Sequence, residues 1–343
     1  MSAPVTVGVS LKTYFGHERA RAWFAEVATR AAAHPAVTAG DVQFFVIPTY
    51  LQIPAALDAF AGTPVLVGAQ DVSEFPPGAY TGEVTAAELA EVGVAVAEIG
   101  HAERRRLFDE TDGITAAKAA AALAHGITPV LCIGEAERLG SSAAALANVA
   151  QLAANLAHVP AGAIIVAYEP VWAIGAAEPA PDDHIATVTR ALRGAVDADP
   201  ARAGSVVIYG GSAGPGLLTR LGDSVDGLFL GRFAHDPDAL VAVLDEAAAL
   251  AALRLGRRRS LAQGPDRGSV RSGGEPAPEA RSLSERQRDE ARSLSEPAPE
   301  TRSLSERQRD EARSSSEPAP DTRSLSERQR DEASPPSGGR TKA

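Results

Sequence analysis

Residues 163–175 have the sequence Ala-Ile-Ile-Val-Ala-Tyr-Glu-Pro-Val-Trp-Ala-Ile-Gly. The apolar run at the start of this stretch predicts a buried β-strand. Glu169 follows where the strand ends, and Pro170 cannot continue a sheet ladder because it has no N–H group. The alternative for Glu169 is a solvated loop carboxylate. We favour a functional residue, because packing does not explain a carboxylate followed by bulky apolar residues and a glycine.

Seven further apolar segments predict strands, and Ala-rich segments between them predict helices. The predicted strands are residues 5–10, 42–47, 64–69, 94–99, 128–133, 163–168, 205–209 and 227–231. The predicted helices are residues 19–33, 51–60, 115–125, 143–157, 182–196 and 237–253, with one more opened by Thr85 and a capping-box Glu88.

The strands are mostly Val, Ile and Leu runs, which indicates a parallel sheet covered on its outer face. Eight strands alternating with seven predicted helices in about 250 residues match an α/β protein of the (β/α)₈ TIM-barrel type. The alternative is an open doubly wound sheet, but no G-x-G-x-x-G follows the first strand. In a barrel, catalytic groups come from the carboxyl ends of strands.

The composition divides the chain near Gly256 into a predicted barrel domain, 1–256, and a tail, 257–343. The first 256 residues carry 15 Lys and Arg against 28 Asp and Glu, a net charge of −13, which argues against a nucleic-acid groove. A single cysteine excludes an intrachain disulfide and suggests a cytoplasmic protein. The sequence shows neither a signal peptide nor a run of about 18 apolar residues, so we expect no membrane span.

The tail contains a repeat of 21 residues. The undecamer RSLSERQRDEA begins at Arg281, Arg302 and Arg323. The 21-residue repeat consists mostly of Ser, Arg, Glu, Asp and Pro, which cannot bury enough apolar surface to offset the entropy of ordering. We therefore expect a disordered, solvated tether, and a role in binding a partner is the alternative.

Residues 167–175 resemble the catalytic-base and lid segment of triosephosphate isomerases, and the resemblance extends from about residue 5 to residue 253. Residues 100–105, Gly-His-Ala-Glu-Arg-Arg, are similar to the family's Gly-His-Ser-Glu-Arg-Arg. Residues 132–135, Cys-Ile-Gly-Glu, and residues 209–212, Tyr-Gly-Gly-Ser, match two further family motifs. The first strand ends in Ser-Leu-Lys, where the family has Asn-x-Lys.

This resemblance implies three catalytic residues. Glu169 matches the base that moves a proton between adjacent carbons, His101 the electrophilic imidazole, and Lys12 the substrate-binding ammonium. In triosephosphate isomerases a helix N-terminus lowers the pKa of the histidine, so we expect a neutral His101. Taken singly, a lysine at a strand end is usually a surface residue and a lone histidine usually structural.

The resemblance also implies residues that bind substrate and phosphate, because glycines let the main chain approach an anion. This set is Ser10, Gly175, Ser212, Gly231 and Arg232. The implied supporting residues are Glu103 as a buried carboxylate, Cys132 as a packed neighbour of the base rather than a nucleophile, and Tyr209.

Four features depart from the family pattern: Ser10, Ala102, the end of the lid at residues 176–179, and Arg232 where a second glycine is usual. The resemblance implies an isomerase without metal or organic cofactor, most simply interconverting glyceraldehyde 3-phosphate and dihydroxyacetone phosphate through an enediol(ate). The departures motivate a longer ketose phosphate, such as a tetrulose phosphate, as an alternative substrate. A non-catalytic barrel that binds sugar phosphate is the other alternative.

Residues 78–83 resemble the interface loop of the same family. An ordinary surface loop is the alternative. With Arg104 as a partner for Glu83, the loop predicts a homodimer.

Overall fold

The computed structural model of this chain describes residues 5–263. Eight parallel strands follow one another in sequence order and close into a barrel, which confirms the predicted (β/α)₈ fold. The strands are β1 Val5–Ser10, β2 Val42–Ile47, β3 Leu66–Ala69, β4 Val96–Ile99, β5 Thr128–Ile133, β6 Ile165–Tyr168, β7 Val206–Tyr209 and β8 Gly227–Leu230.

Helices cover the outside of the barrel, and short 3₁₀ turns join several of them to the strands. No helix in the described part of the chain is long and apolar enough to span a membrane. The helices are α1 His17–Arg30, α2 Pro35–Thr38, α3 Ile53–Ala59, α4 Ala86–Val92, α5 Ala102–Phe108, α6 Asp112–Ala124, α7 Ser141–Asn155, α8 Asp182–Asp197, α9 Leu217–Leu221 and α10 Pro237–Gln263.

Two layers of apolar side chains hold the barrel together, because successive strand residues point alternately inward and outward. The outward layer packs against the helices and forms the larger cluster. The inward layer fills the barrel and includes Phe45, Val96, Cys132, Ile208 and Phe229. This inner plug closes the barrel below its carboxyl-terminal rim, so a ligand can approach the strand ends only from the rim.

The carboxyl-terminal helix extends beyond the predicted boundary at residue 257. Residues 257–263 continue α10, and Arg257 forms an ion pair with Asp223 at 2.5 Å. Arginine is a good helix former and suits the carboxyl end of a helix. The predicted disorder of the 21-residue repeats concerns residues that lie outside the described part.

A buried ionic network joins the β3 end to α5 and α6. The Lys118 ammonium on α6 donates to both oxygens of Asp71, at 2.8 Å each, and to Glu110. Arg104 on α5 also binds Asp71, at 2.8 Å, and Glu110. These contacts tie the loop after β3 to α5, the helix that begins immediately after His101.

Candidate active site

Three of the predicted site residues meet at the carboxyl-terminal rim of the barrel. Lys12 follows β1, His101 follows β4, and Glu169 follows β6. The Nζ atom of Lys12 lies 3.2 Å from Nε2 of His101, and the same Nε2 lies 3.3 Å from Oε2 of Glu169. An ammonium, an imidazole and a carboxyl group from distant parts of the sequence therefore surround one small volume.

Lys12 is held in a backbone conformation that residues other than glycine seldom adopt, with φ of 46°. The side-chain amide of Gln70 donates to its carbonyl oxygen at 2.8 Å and fixes this turn. Its Nζ atom also donates to Glu103 at 2.9 Å. Burial alone would lower the pKa of Lys12, but Glu169, Glu103 and Glu98 raise it above its usual value, so the group remains a cation.

The imidazole of His101 is neutral. His101 caps the N-terminus of α5, and its Nδ1 atom accepts a hydrogen bond from the Glu103 backbone N–H at 3.1 Å. The remaining ring hydrogen is therefore assigned to Nε2, which faces Lys12 and Glu169. Burial and then the Lys12 charge lower the pKa of His101 to about 4, so at neutral pH the ring is a neutral donor.

The Glu169 side chain is buried beside His101. Its Oε2 atom has no aligned hydrogen bond among the described residues, despite lying close to His101. Burial and the nearby Glu98 raise the pKa of Glu169 to about 8, against the opposing effect of Lys12. A carboxyl group with a raised pKa at a cavity wall is suited to accept and return a proton near neutral pH.

Two glycines give Glu169 its position. A side chain at Gly134 would collide with the Glu169 carbonyl oxygen. At Gly210, a Cβ atom would lie 2.5 Å from Oε1 of Glu169. A side chain at position 134 would therefore force the backbone to move, whereas one at position 210 would displace the side chain of Glu169.

Glu98 is a site residue that the sequence analysis did not identify. It lies within β4, is only 3% exposed, and accepts a hydrogen bond from the Ser10 hydroxyl at 2.7 Å. Burial raises its pKa to about 7, although Ser10 and Lys12 act in the opposite direction. The sequence could have indicated this residue. A charged side chain inside an otherwise apolar strand of a parallel sheet is unfavourable to bury, so its presence points to a hydrogen-bonding partner or a function.

Lys12 and Glu169, which both contact His101, line a cavity of about 700 Å³ together with the predicted phosphate-binding residues. Its lining residues also include Gly175, Ser212, Gly231 and Arg232. The guanidinium of Arg232 lies 3.5 Å from the carbonyl oxygen of Gly175. The structure thus brings the proposed anion-binding residues together with Lys12, His101 and Glu169, and Arg232 lies at the solvent-exposed edge.

The segment that follows Glu169 is anchored to its surroundings by side-chain hydrogen bonds. The Trp172 indole donates to Glu135 at 2.9 Å, and the Ser212 hydroxyl lies 2.9 Å from the Ala173 carbonyl oxygen. The Tyr209 hydroxyl accepts the Ala180 backbone N–H at 2.9 Å. These contacts position residues 171–180 beside the cavity.

One of the supporting predictions is wrong, and another agrees with the structure. Glu103 was predicted to be buried, but its side chain is 44% exposed, because it lies on the first turn of α5 at the rim. There it binds Lys12, which lowers the pKa of Glu103 although partial burial acts to raise it. Cys132 is buried inside the barrel, and burial, Glu169 and Glu98 raise its pKa. A protonated, inaccessible thiol is a packing neighbour rather than a nucleophile.

Fold and site together define the class of protein: a (β/α)₈ barrel with an ammonium, a neutral imidazole and a buried carboxyl group around one cavity. A family model described as "Triosephosphate isomerase" matches residues 5–247. The chain belongs to the triosephosphate isomerase family.

Individual relatives within this family carry two different substrate names. The L-erythrulose-1-phosphate isomerase of Pectobacterium atrosepticum is 48% identical over 250 residues, which cover 72% of this chain and 96% of the relative. The triosephosphate isomerase of Leifsonia xyli is 38% identical over 214 residues, covering 60% of this chain and 83% of the relative. The crystal structure of the Bartonella henselae triosephosphate isomerase superposes with a TM-score of 0.62 at 25% identity, covering 71% and 98% of the two chains.

Proposed function

We propose that this protein isomerises a four-carbon ketose phosphate, with L-erythrulose 1-phosphate as the first candidate. The observation that carries the proposal is the convergence of Lys12, His101 and Glu169 within 3.2–3.3 Å contacts at one cavity. The 48% identity to an L-erythrulose-1-phosphate isomerase favours the four-carbon substrate over the simpler triose phosphate.

The three residues have complementary roles in the proposed reaction. Glu169 removes a proton from the carbon next to the carbonyl and returns it to the neighbouring carbon. The negative oxygen that forms between these steps requires preplaced donors. Nε2 of His101 and Nζ of Lys12 lie 3.2 Å apart, so one substrate oxygen bound beside them would accept hydrogen bonds from both.

The chemistry of the substrate limits where its carbonyl can move. In L-erythrulose 1-phosphate the carbonyl is at C2, and C1 carries the phosphate ester. Only C3 has a free hydroxyl next to the carbonyl, so proton transfer between C3 and C2 moves the carbonyl to C3. The product is the isomeric ketose with its phosphate on the carbon next to the new secondary alcohol. The reaction is a ketose–ketose isomerisation, and a terminal hydroxymethyl group extends beyond the reacting carbons.

The phosphate would bind at the rim beside Gly175, Ser212 and Gly231. Main-chain N–H groups at glycines can approach a phosphate closely, and Arg232 adds a cation at the exposed edge. Because an enediolate intermediate next to a phosphate ester can expel phosphate in water, coverage by residues 171–180 would protect it.

Triose phosphate is the second candidate substrate, supported by the family match and by the Leifsonia xyli relative. Steady-state rates with triose phosphates and with L-erythrulose 1-phosphate test the two. We expect kcat/KM above about 10⁴ M⁻¹s⁻¹ for the four-carbon substrate, within the usual enzyme range, and a lower value for triose phosphate. Higher kcat/KM for triose phosphate would favour the second candidate, and no turnover of either would contradict isomerase function.

We also propose a homodimer. Phe75 and Tyr80 stack at 4.3 Å on the loop before α4 and are partly exposed, as an interface would require. Within the described chain, Arg104 pairs with Asp71 and Glu110 rather than with Glu83, and we place its proposed bond to Glu83 across the dimer interface. Sedimentation equilibrium should give twice the chain mass, and Tyr80→Asp should shift the distribution towards monomer.

Replacing Gly210 with alanine should lower kcat by about 100-fold with little loss of stability. The new methyl group would displace the flexible end of Glu169 rather than the backbone, and a shift of about 1 Å in a reacting group can have this effect. Gly194→Ala on α8 is the matched control, because nothing lies within 4 Å of a Cβ atom there. Equal kcat values for both variants would show that the position of the carboxyl group is not critical.

The activity of the free enzyme should rise with pH. Glu169 acts as a base only when ionised, and its raised pKa of about 8 means that the ionised fraction falls as pH drops below 8. We therefore expect kcat/KM to increase with a midpoint near pH 8. The His101 pKa of about 4 adds no further transition above pH 6. A profile that is flat from pH 6.5 to 9 would contradict the raised pKa.

A further inference from the structure

A polar pair, Ser10 and Glu98, lies in the barrel interior one layer deeper than the catalytic cluster. Ser10 precedes Lys12 by two residues along β1, and Glu98 precedes His101 by three along β4. Both side chains are buried and line the same cavity, with the Ser10 hydroxyl 2.7 Å from Oε2 of Glu98. The cavity therefore has a polar end below the reacting groups.

The carboxyl group of Glu98 retains unused hydrogen-bonding capacity. Within residues 5–263, Ser10 is its only hydrogen-bond partner. The Lys12 ammonium and the Glu169 carboxyl group are close enough to influence Glu98 electrostatically, while the inner layer of the barrel is apolar and includes Val96, Ile208 and Phe229. Burying a carboxyl group in such surroundings is unfavourable unless its oxygens are hydrogen bonded. Packing alone does not explain a glutamate at this position. A ligand hydroxyl group that hydrogen bonds to its remaining oxygen would explain it.

We propose that Ser10 and Glu98 form a subsite for the terminal hydroxymethyl group of the substrate, and that Glu98 determines the preference for four carbons over three. The inference rests on the proposed function. With its phosphate at the rim beside Gly175 and Gly231, and its reacting carbons between Glu169 and His101, the carbon chain continues away from the rim. Its far end then reaches Ser10 and Glu98.

A hydroxyl group suits this pair because it can both donate and accept. It can donate to the free oxygen of Glu98, and the pKa of about 7 means that the carboxyl group itself can donate in part of the population. A triose phosphate has no group at this place and leaves the buried polar atoms unpaired. Sites that hydrogen bond a substrate hydroxyl discriminate strongly against analogues that lack it, by up to about 10⁴-fold or more.

The test is the ratio of kcat/KM for L-erythrulose 1-phosphate to kcat/KM for glyceraldehyde 3-phosphate. We expect Glu98→Leu to lower this ratio by at least about 100-fold, and Ser10→Ala to lower it by about 10-fold through the loss of one hydrogen bond. Glu98→Gln has the same size and should lie between wild type and Glu98→Leu. Val96→Ala, one layer deeper on the same face of β4, is the matched control and should leave the ratio unchanged.

The ratio separates substrate recognition from the effect of Glu98 on the Glu169 pKa, because both substrates use the same base. If every Glu98 variant lowers kcat/KM for both substrates by the same factor, Glu98 acts only through Glu169 and the proposed subsite is contradicted. If the wild type turns over neither substrate, the proposed function fails before the subsite is tested. Thermal unfolding and the binding of inorganic phosphate show whether each variant is folded and has an intact phosphate site. If Glu98→Leu does not fold, Ser10→Ala and Glu98→Gln test the proposal.

Discussion

Replacing Glu169 with glutamine should lower kcat by about 10³-fold, because the buried carboxyl group 3.3 Å from Nε2 of His101 can no longer accept a proton. Glutamine has almost the same shape, so substrate binding should change little. The measurement is steady-state kinetics with the preferred substrate, together with the affinity for inorganic phosphate. A steep loss of kcat with an unchanged phosphate affinity is the signature of a residue that acts in the transition state.

Glu169→Asp gives a second test of the same idea. It keeps the charge but withdraws the carboxyl group by one methylene, so kcat should fall by about 100-fold. If Glu169→Asp and Glu169→Gln both retained wild-type turnover, Glu169 would have no part in the mechanism. The barrel would then use another base.

Loss of folding cannot mimic this result if stability is measured in parallel. The folded-state pKa of Glu169 is raised to about 8 from 4.5. Above pH 4.5 the unfolded chain ionises more readily than the folded one, so this group lowers stability progressively as pH rises through 8. Glu169→Gln removes that effect. We expect the variant to be at least as stable as the wild type at pH 8. Its advantage in the free energy of unfolding over the wild type should be smaller at pH 5.

The barrel could be predicted because burial on both faces makes each strand a recognisable apolar run. Strands β1, β2 and β5 have the bounds predicted from sequence. Strands β4 and β6 begin two residues later, since Val94 and Ile164 are buried without belonging to the ladder. Hydrophobicity reports burial, and it does not distinguish a paired residue from one that packs on the approach to the strand.

The short helices and Glu98 show what the sequence pattern could not give. Helix α5 contains three consecutive arginines and no fully buried residue, so it lacks the apolar periodicity by which longer helices are identified. It forms because His101 caps it and the network around Arg104 holds it. Glu98 was treated as part of an apolar run, and only the barrel closure that brings β1 near β4 shows its contact with Ser10.

Replacing Lys118 with methionine should destabilise the protein by about 3–5 kcal/mol, the usual result of removing one partner from a buried ion pair. The Lys118 side chain is only 7% exposed and compensates two carboxylates, Asp71 and Glu110. Without it, both carboxylates would depend on Arg104 alone. Already in the wild type, burial raises the pKa of Asp71 against the opposing effect of Lys118, so the site tolerates little further loss of positive charge.

The matched control is Arg220→Met, which removes the cation of an exposed pair with Asp182, whose side chains are 50% and 44% exposed. It should cost less than about 1 kcal/mol. Urea unfolding at a fixed protein concentration measures both variants, because any subunit association would make stability depend on concentration. The deficit of Lys118→Met should shrink between pH 8 and pH 5, as Asp71, whose pKa burial already raises, takes up a proton in the folded state. A deficit equal to that of Arg220→Met would show that Arg104 alone compensates the buried acids, and that α5 is held beneath His101 by packing rather than by charge.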